Sequence, residues 1–178
     1  LDRYESGTKT WQINSVFNAI KPLQIDLIQR IVEAEPVDDS FLKQPFDVAV
    51  QRQVGEEISR QLGFDMHGGR IDTAAHPFTT TLGSGDVRYT NRFIEDAGMG
   101  SFFAAMHESG HAMYDQGENE AYADMLVAQP VSSMLQESQS RFWENMVGRS
   151  RPFWQYWMPK MREYYPSQLG AVGLEHMY

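Results

Sequence analysis

The sequence predicts a mainly α-helical fold with a small β-sheet or hairpin, and two observations support that prediction. Apolar side chains recur at helical spacing over long stretches, so that each stretch can bury one face of a helix. Between these stretches, a segment rich in Thr, Gly and Ser follows a Gly-Gly pair and contains runs only long enough for strands. The 178 residues show no internal repeat and no low-complexity linker.

Two helices are predicted in the first third of the chain. Residues 11–32 carry apolar side chains at helical spacing, and Pro22 is expected to bend or divide this helix because proline lacks the backbone N–H. Residues 46–62 repeat apolar side chains every four positions. Gly63 is a favourable stop after them, since helices commonly end at glycine.

Strands are predicted after the break at Gly68 and Gly69. Residues 70–75 and 86–91 have the length of two short strands. Residues 79–85 lie between them and are expected to form a loop or hairpin tip, because they are rich in Thr, Gly and Ser. The sequence therefore predicts a small sheet beside the helices.

Three further helices are predicted in the second half of the chain. Each has a boundary residue of a suitable type: Gly117 ends the first, Pro130 opens the second and Ser150 caps the third. The predicted ranges are 98–116, 130–146 and 150–164, and the apolar face of the last comprises Trp154, Trp157, Met158 and Met161.

The composition excludes several kinds of site and partner. The chain has no cysteine, so thiolate metal sites are ruled out and any metal must bind His, Asp or Glu. The net charge of −9, from 24 acidic and 15 basic residues, argues against nucleic acid, whose binders favour a basic face. No apolar run approaches the roughly 20 residues that span a bilayer, so no membrane partner is predicted. The absence of cysteine and of signal-peptide features fits the cytoplasm.

The clearest chemical motif is the run His-Glu-Ser-Gly-His at residues 107–111. Side chains four residues apart lie on one face of a helix, so His107 and His111 can bind one metal ion. Glu108 would then lie near metal-activated water, where it can accept a proton and later deliver it to a leaving amine. The alternative is a chance match, but apolar residues on both sides place the run in a semi-buried helix.

A catalytic zinc site also needs a third protein ligand and an open position. Glu137 lies 30 residues after His107, and two antiparallel helices joined by a loop would bring it to the site. On spacing alone, Glu137 can also be a solvated surface residue. Asp115, four residues after His111, is a candidate hydrogen-bond partner of a metal-binding histidine. The competing acidic residues are Glu118, Glu120, Asp124 and Glu144.

Several blocks of sequence together resemble the carboxypeptidase Taq family of metallocarboxypeptidases. Their order and spacing agree with the family across almost the whole chain. The matching blocks are residues 76–78 (His-Pro-Phe), 86–90 (Asp-Val-Arg-Tyr-Thr), 107–111 with Tyr114 and Gly117, 137–141 (Glu-Ser-Gln-Ser-Arg) and 143–150.

The resemblance implies a helical, zincin-like metallopeptidase core that acts as a metal-dependent carboxypeptidase. It further implies one zinc or cobalt ion per chain, peptide substrates with a free C-terminus, a homodimer and a cytoplasmic location. Carried over by motif, His107, His111 and Glu137 are the metal ligands and Glu108 is the general base.

The chain departs from the family pattern in two ways. The family usually has histidine directly before the third ligand, whereas this chain has Gln136, so local hydrogen bonding is expected to differ there. Residues 1–178 are expected to form a single catalytic-core region, truncated relative to full-length members. Two motifs of longer members are absent from it, one with an Ile-Arg pair and one with a Gln-Asp-x-His-Trp stretch.

Two further residues are candidates for binding substrate. Arg88 lies in a strand motif shared with the family, and a planar guanidinium suits the terminal carboxylate of a peptide. Its alternative is a salt bridge to Asp86 or another nearby acid. His76 precedes Pro77, which holds it extended, and the family motif suggests contact with substrate or with an oxyanion. Its alternative is a buried histidine that supports the sheet.

Two other functions compete with the carboxypeptidase hypothesis. The absent C-terminal motifs favour a metal-binding structural or assembly module that has lost catalysis together with its flanking segments. The same helix motif also serves endopeptidases and aminopeptidases.

Overall fold

The computed structural model of the protein describes residues 4–123, 125–128 and 131–178. Contacts divide these residues into two units, one of residues 4–38 with 132–134 and one of residues 39–131 with 135–178. The predicted helix start at Pro130 and the candidate ligand Asp124 lie outside the described residues. Helices predominate and three short strands form one sheet, so the predicted fold class is confirmed.

The first unit consists mainly of helix α1, Thr10–Glu33. The helix is continuous through Pro22, so the predicted division at that position is wrong. A proline inside a helix removes a single backbone hydrogen bond, and the other bonds of a 24-residue helix maintain it. In the same unit, the N–H of Ser133 donates to the carbonyl of Tyr4 (3.0 Å).

The second unit begins with helix α2, Val48–Leu62. Asp47 caps its first turn, because Oδ1 accepts hydrogen bonds from the backbone N–H groups of Ala49 (2.8 Å) and Val50 (3.0 Å). The predicted start is slightly early, since Asp47 stands outside the helix as its cap. The predicted stop is correct: Gly63 has a φ of +119°, a left-handed conformation that costs glycine little.

Three strands form the sheet in the order β1-β3-β2. Strand β3 is central, parallel to β1 on one side and antiparallel to β2 on the other. Every second residue of β3 is buried and faces the helices, namely Val87, Tyr89 and Asn91. The strands are β1, Gly69–Thr73, β2, Phe78–Gly83, and β3, Asp86–Asn91.

The loop predicted over residues 79–85 is wrong for most of its length, because β2 occupies residues 78–83. The three consecutive threonines of β2 are β-branched, and such side chains favour the pleated conformation. Only Ser84 and Gly85 form the turn, with Gly85 at a φ of +73°. β2 is therefore an edge strand paired with β3.

Helix α3, Gly98–Gln116, packs against α2 and the sheet, as its buried residues show. A buried group of hydroxyls joins these elements. Ser109 of α3 donates to Oγ of Ser59 in α2 (2.9 Å), and the hydroxyls of Ser59 and Tyr89 are 2.6 Å apart. These buried hydrogen bonds thus connect α3, at Ser109, to α2 and, through Ser59, to β3.

The last helices complete the core of the second unit. Helix α4, Ser133–Arg141, continues directly into a π-helical segment, Phe142–Val147, in which the N–H of Gly148 bonds to the carbonyl of Trp143 (2.9 Å). Ser150 caps α5 and the predicted apolar face of that helix is buried, so both predictions are confirmed. The remaining helices are α5, Arg151–Tyr164, and α6, Pro166–Leu169.

Among the described residues, no helix combines the length and the apolar character that crossing a membrane requires.

Candidate metal centre

The two histidines of the predicted motif lie on one face of α3. They are four residues apart, so their rings are neighbours, with centroids 5.0 Å apart and planes inclined at 75°. The side chains of His107 and His111 are 20% and 19% exposed, which leaves each ring partly accessible to solvent. The helix thus presents two imidazoles to the same small volume.

Glu137 of α4 brings a carboxylate to the same volume. Its Oε2 atom is 3.8 Å from Nε2 of His107 and 3.4 Å from Nε2 of His111. The three potential ligand atoms all lie within 4.8 Å of one another. The structure therefore brings together the three residues that the sequence predicted as ligands.

The donor set suits a single divalent ion. Zinc in proteins is about 2.0–2.2 Å from imidazole nitrogen or carboxylate oxygen, so two ligands of a tetrahedral ion lie about 3.4 Å apart. The separations from Glu137 Oε2 to the two imidazoles are close to that value. Three protein ligands also leave a fourth position open, as catalytic rather than structural sites do.

His107 is oriented by a carboxylate on its other ring nitrogen. Nδ1 lies 2.9 Å from Oε2 of Glu144, which is in the π-helical segment and 14% exposed. Two guanidinium groups balance the charge of this carboxylate, from Arg141 (3.3 Å) and Arg149 (3.4 Å). Glu144 competes with Glu137 as a predicted third ligand. It contacts Nδ1 of His107, whereas Glu137 faces Nε2.

Arg141 also orients Glu137, the proposed third ligand. Its Nε atom donates to Oε1 of Glu137 at 3.0 Å, while Oε2 faces the histidines. Arg141 follows Glu137 by one helical turn, which places both side chains on the same face of α4. The ion pair of Arg141 with Glu137 therefore leaves one oxygen of Glu137 directed at the imidazoles.

His111 is oriented by a neutral side chain. Its Nδ1 atom lies 3.0 Å from Oε1 of Gln136, and Nε2 of Gln136 donates to Oδ1 of Asp115. Asp115 in turn accepts a hydrogen bond from the hydroxyl of Thr81 (2.7 Å). Asp115 thus reaches His111 through Gln136 rather than directly.

Glu108 lies on the inner side of the helix and is 5% exposed. The hydroxyl of Thr79 in β2 donates to Oε2 of Glu108 at 2.6 Å. Within the described part of the chain, Oε1 of Glu108 receives no hydrogen bond, so one oxygen stays available to accept a proton.

Gly110 permits the close approach of α3 and α4. A Cβ atom at this position would lie 2.7 Å from the Cα of Ser140 and 2.8 Å from the carbonyl oxygen of Gln139. Both are backbone atoms, so a larger residue would push α4 away. The glycine inside the motif therefore allows Glu137 to reach the histidines.

The two predicted substrate-binding residues make contacts within the sheet and its loops. His76 is exposed, and its carbonyl accepts a hydrogen bond from Thr90 (3.3 Å). Arg88 forms the two-point salt bridge with Asp86 that was its alternative, with both contacts at 2.8 Å. This hydrogen bond lowers the pKa of Asp86 and raises that of Arg88. Since β3 turns Val87 and Tyr89 towards the helices, Arg88 extends from the opposite face, and the roles of His76 and Arg88 remain predictions.

The sequence did not predict that Thr79, Thr81 and Gly110 lie around the centre. Thr79 and Thr81 fall in the predicted loop, although a run of three β-branched residues is itself a signal for a strand, in which residues 79 and 81 lie on one face. Gly110 gave no such signal, because only the packing of two helices reveals its use. Among the described acids, Glu118 and Glu120 take no part in the three-residue cluster.

Comparison with known proteins gives consistent matches along the entire chain. A sequence profile described as carboxypeptidase Taq (M32) metallopeptidase matches residues 1–178. Thermostable carboxypeptidase 1 of Thermus thermophilus is 39% identical over 179 aligned positions, which cover 100% of this chain and 35% of that protein. Carboxypeptidase 1 of Bacillus subtilis is 34% identical over 176 positions, which cover 98% of this chain and 35% of that protein.

The fold matches solved structures equally well. The crystal structure of the M32 carboxypeptidase from Deinococcus radiodurans R1 superposes with a TM-score of 0.96 at 36% sequence identity. The match covers 99% of this chain and 36% of that chain. The chain thus spans about a third of the length of the relatives it matches.

Proposed function

Because the chain belongs to the carboxypeptidase Taq (M32) family of metallopeptidases, we propose that it is the catalytic-core region of a metal-dependent carboxypeptidase. The substrates are peptides with a free C-terminus, from which single amino acids are removed. The observation that carries the proposal is the convergence of His107, His111 and Glu137, whose ligand atoms lie within 4.8 Å of one another.

We assign these three residues as the ligands of one zinc or cobalt ion per chain. Two imidazoles and one carboxylate suit either ion, and the chain has no thiolate that would favour a structural zinc site. A bound ion supplies Lewis acidity, which activates water and polarises the peptide carbonyl. Glu144 and Gln136 hold the two rings with Nε2 facing Glu137.

Glu108 is the proposed general base. Its burial and its hydrogen bond from Thr79 fix Oε2, while Oε1 accepts a proton from the attacking water and returns it to the leaving amine. A glutamate directly after the first histidine of the helix motif is suitably placed for this transfer.

Two further features complete the proposal. We propose a homodimer, which the family resemblance supports. We also propose a cytoplasmic location, with which the absence of cysteine is consistent.

Release of the last residue from an N-blocked dipeptide tests the function. Zinc or cobalt is added to the metal-free protein, with a chelator as the control. Release that requires metal supports the proposal, and amidation of the peptide C-terminus is expected to abolish it. Cleavage of the amidated, N-blocked peptide would instead identify an endopeptidase, whereas an aminopeptidase would cleave only a peptide with a free N-terminus.

Glu108→Gln tests the assigned base. The variant keeps the shape of the side chain but not its basicity, so it is expected to bind one metal ion and to lose nearly all hydrolysis. Full activity would overturn the assignment. Bound metal without any release in the unmodified protein would favour a metal-binding structural module instead.

A further inference from the structure

A chain of hydrogen bonds connects the edge strand of the sheet to one imidazole of the candidate centre. It runs from the hydroxyl of Thr81 to Asp115 (2.7 Å), from Asp115 to the amide of Gln136, and from that amide to Nδ1 of His111 (3.0 Å). These residues come from β2, α3 and α4. Three elements of the fold therefore meet at one ring nitrogen.

The chemistry of the partners fixes the direction of every bond in this chain. A carboxylate accepts hydrogen bonds, so Asp115 must face the NH₂ group of Gln136 rather than its oxygen. The amide oxygen is then turned to His111, and an oxygen can only accept. Nδ1 of His111 must therefore carry the hydrogen, and Nε2 presents its lone pair 3.4 Å from Oε2 of Glu137.

We propose that Gln136 is a positioning residue that holds His111 in its metal-binding tautomer. The inference rests on the proposed metal site. It adds that Gln136 fixes the tautomer of one ligand, His111, in the metal-free protein. Gln136 acts through His111 and transmits the fixed orientation of Asp115, which accepts one hydrogen bond on each oxygen. Partners of metal-bound histidines commonly act in this way.

The surroundings of the two histidines explain why a neutral amide, rather than a carboxylate, suits position 136. His107 donates to a carboxylate, Glu144, whose charge two arginines offset. Asp115 already supplies a negative charge on the side of His111. Gln136 connects Asp115 to the ring of His111 by hydrogen bonds without adding a second negative charge, since an amide offers both an acceptor and a donor.

The first experiment measures the tautomer of His111 in the metal-free protein by long-range ¹H–¹⁵N NMR correlation. The unmodified protein is expected to show the Nδ1–H form. In Gln136→Leu, which removes the acceptor, a substantial share of His111 is expected to change to the Nε2–H form. Gln61→Leu is the matched control, because Gln61 is an exposed helical glutamine that also donates to a carboxylate, that of Glu57 (2.8 Å).

The second experiment measures zinc affinity by competition with a chromophoric chelator. Gln136→Leu is expected to raise the dissociation constant about 10- to 100-fold, as loss of such partners typically does. Gln136→Glu is expected to weaken binding as well, since it replaces the donor that faces Asp115. Adding Asp115→Asn to Gln136→Glu rebuilds the chain with the carboxylate and the amide exchanged, and is expected to restore most of the affinity.

An unchanged tautomer in Gln136→Leu, or no restoration in the double variant, would overturn the proposal. Gln136→Ala, which also removes the acceptor, serves the same tests should Gln136→Leu fail to fold, which circular dichroism reports. The tautomer is measured without metal, so its result is separate from that of the proposed function. Failure of the unmodified protein to bind zinc would count against the proposed function. The NMR measurement would still decide whether His111 has the assigned tautomer.

Discussion

The hydroxyl of Thr79 donates a hydrogen bond to Oε2 of Glu108 at 2.6 Å, which ties the edge strand to the proposed base. The same oxygen of Thr79 lies 3.3 Å from the carbonyl of Glu108. Two residues further along β2, Thr81 contacts Asp115. The side chains of a strand alternate, so Thr79 and Thr81 share the face that contacts α3.

Replacement of Thr79 by valine is expected to lower kcat without weakening the binding of metal. Valine keeps the shape but removes the donor, and a hydrogen bond to a charged group is worth about 1.5–3 kcal/mol, so the loss is about tenfold or more. Thr79→Ser is expected to restore turnover, and Thr80→Val, on the other face of β2, is the control. Equal turnover in Thr79→Val and Thr80→Val would contradict the prediction.

Replacement of Gly110 by alanine is expected to weaken zinc binding and to destabilise the protein by about 1–3 kcal/mol. The added Cβ would lie 2.7 Å from the Cα of Ser140, and the shift of α4 would carry Glu137 away from the histidines. Gly100→Ala is the matched control in the same helix, because a Cβ there meets no atom within 4 Å. That control is expected to stabilise α3 slightly. Denaturant unfolding and zinc titration of both variants provide the measurement, and identical behaviour would refute the prediction.

The salt bridge between Lys160 and Glu57 (2.8 Å) is expected to make stability depend on pH. Hydrogen bonds, first from Lys160 and then from Tyr164, lower the pKa of Glu57 below its ordinary value of 4.5. The contribution is therefore complete above that value and is lost as the pH falls through the lowered pKa of the folded state.

Lys160→Met tests this dependence by urea unfolding at several pH values. The variant is expected to lose about 1 kcal/mol at neutral pH, and the difference from the unmodified protein is expected to shrink in acid. Lys43→Met is the control, since Lys43 and its partner Asp39 are both largely exposed. A difference that stays constant down to strongly acidic pH would show that Glu57 is not its source.

Removal of the Tyr89 hydroxyl is expected to destabilise the protein by about 1 kcal/mol. Tyr89 is buried beside Ser59, and burial raises its pKa to about 12, so the phenol stays protonated and donates at neutral pH. Tyr89→Phe is compared with Tyr156→Phe, whose ring is exposed, by chemical denaturation. A variant as stable as the control would show that the hydroxyl network is dispensable.

The convergence of the proposed metal ligands was predictable because their chemistry leaves a local pattern. Two histidines at helical spacing with an adjacent glutamate define one face of one helix, and the family resemblance supplied Glu137. The resemblance itself is confirmed by the match over residues 1–178. Helix ends at Gly63 and Ser150 were also predictable, since the first uses the left-handed conformation of glycine and the second a side-chain cap. Helix α3 also ends before Gly117 as predicted, although the φ of −78° there is open to any residue.

The residues that support the centre were not predictable in the same way. Gln136 and Asp115 are 21 positions apart in sequence, and only the packing of α4 on α3 reveals that they bond. Strand β2 was missed because its polarity matched that of a loop, although its threonines favour a strand. Contacts between distant elements leave no local periodicity in the sequence.

In the π-helical segment 142–147, the spacing of residues matters as well as their identity. A π turn accommodates one residue more than an α turn, and it does so between Glu144, which holds His107, and Arg149, which holds Glu144. Deletion of one residue here would restore a regular helix, but everything beyond it would rotate by about 100°. The arginine would then leave its carboxylate, even though every side chain at the centre was retained. This part of the chain is therefore expected to tolerate no change of length, even one that keeps Glu144 and Arg149.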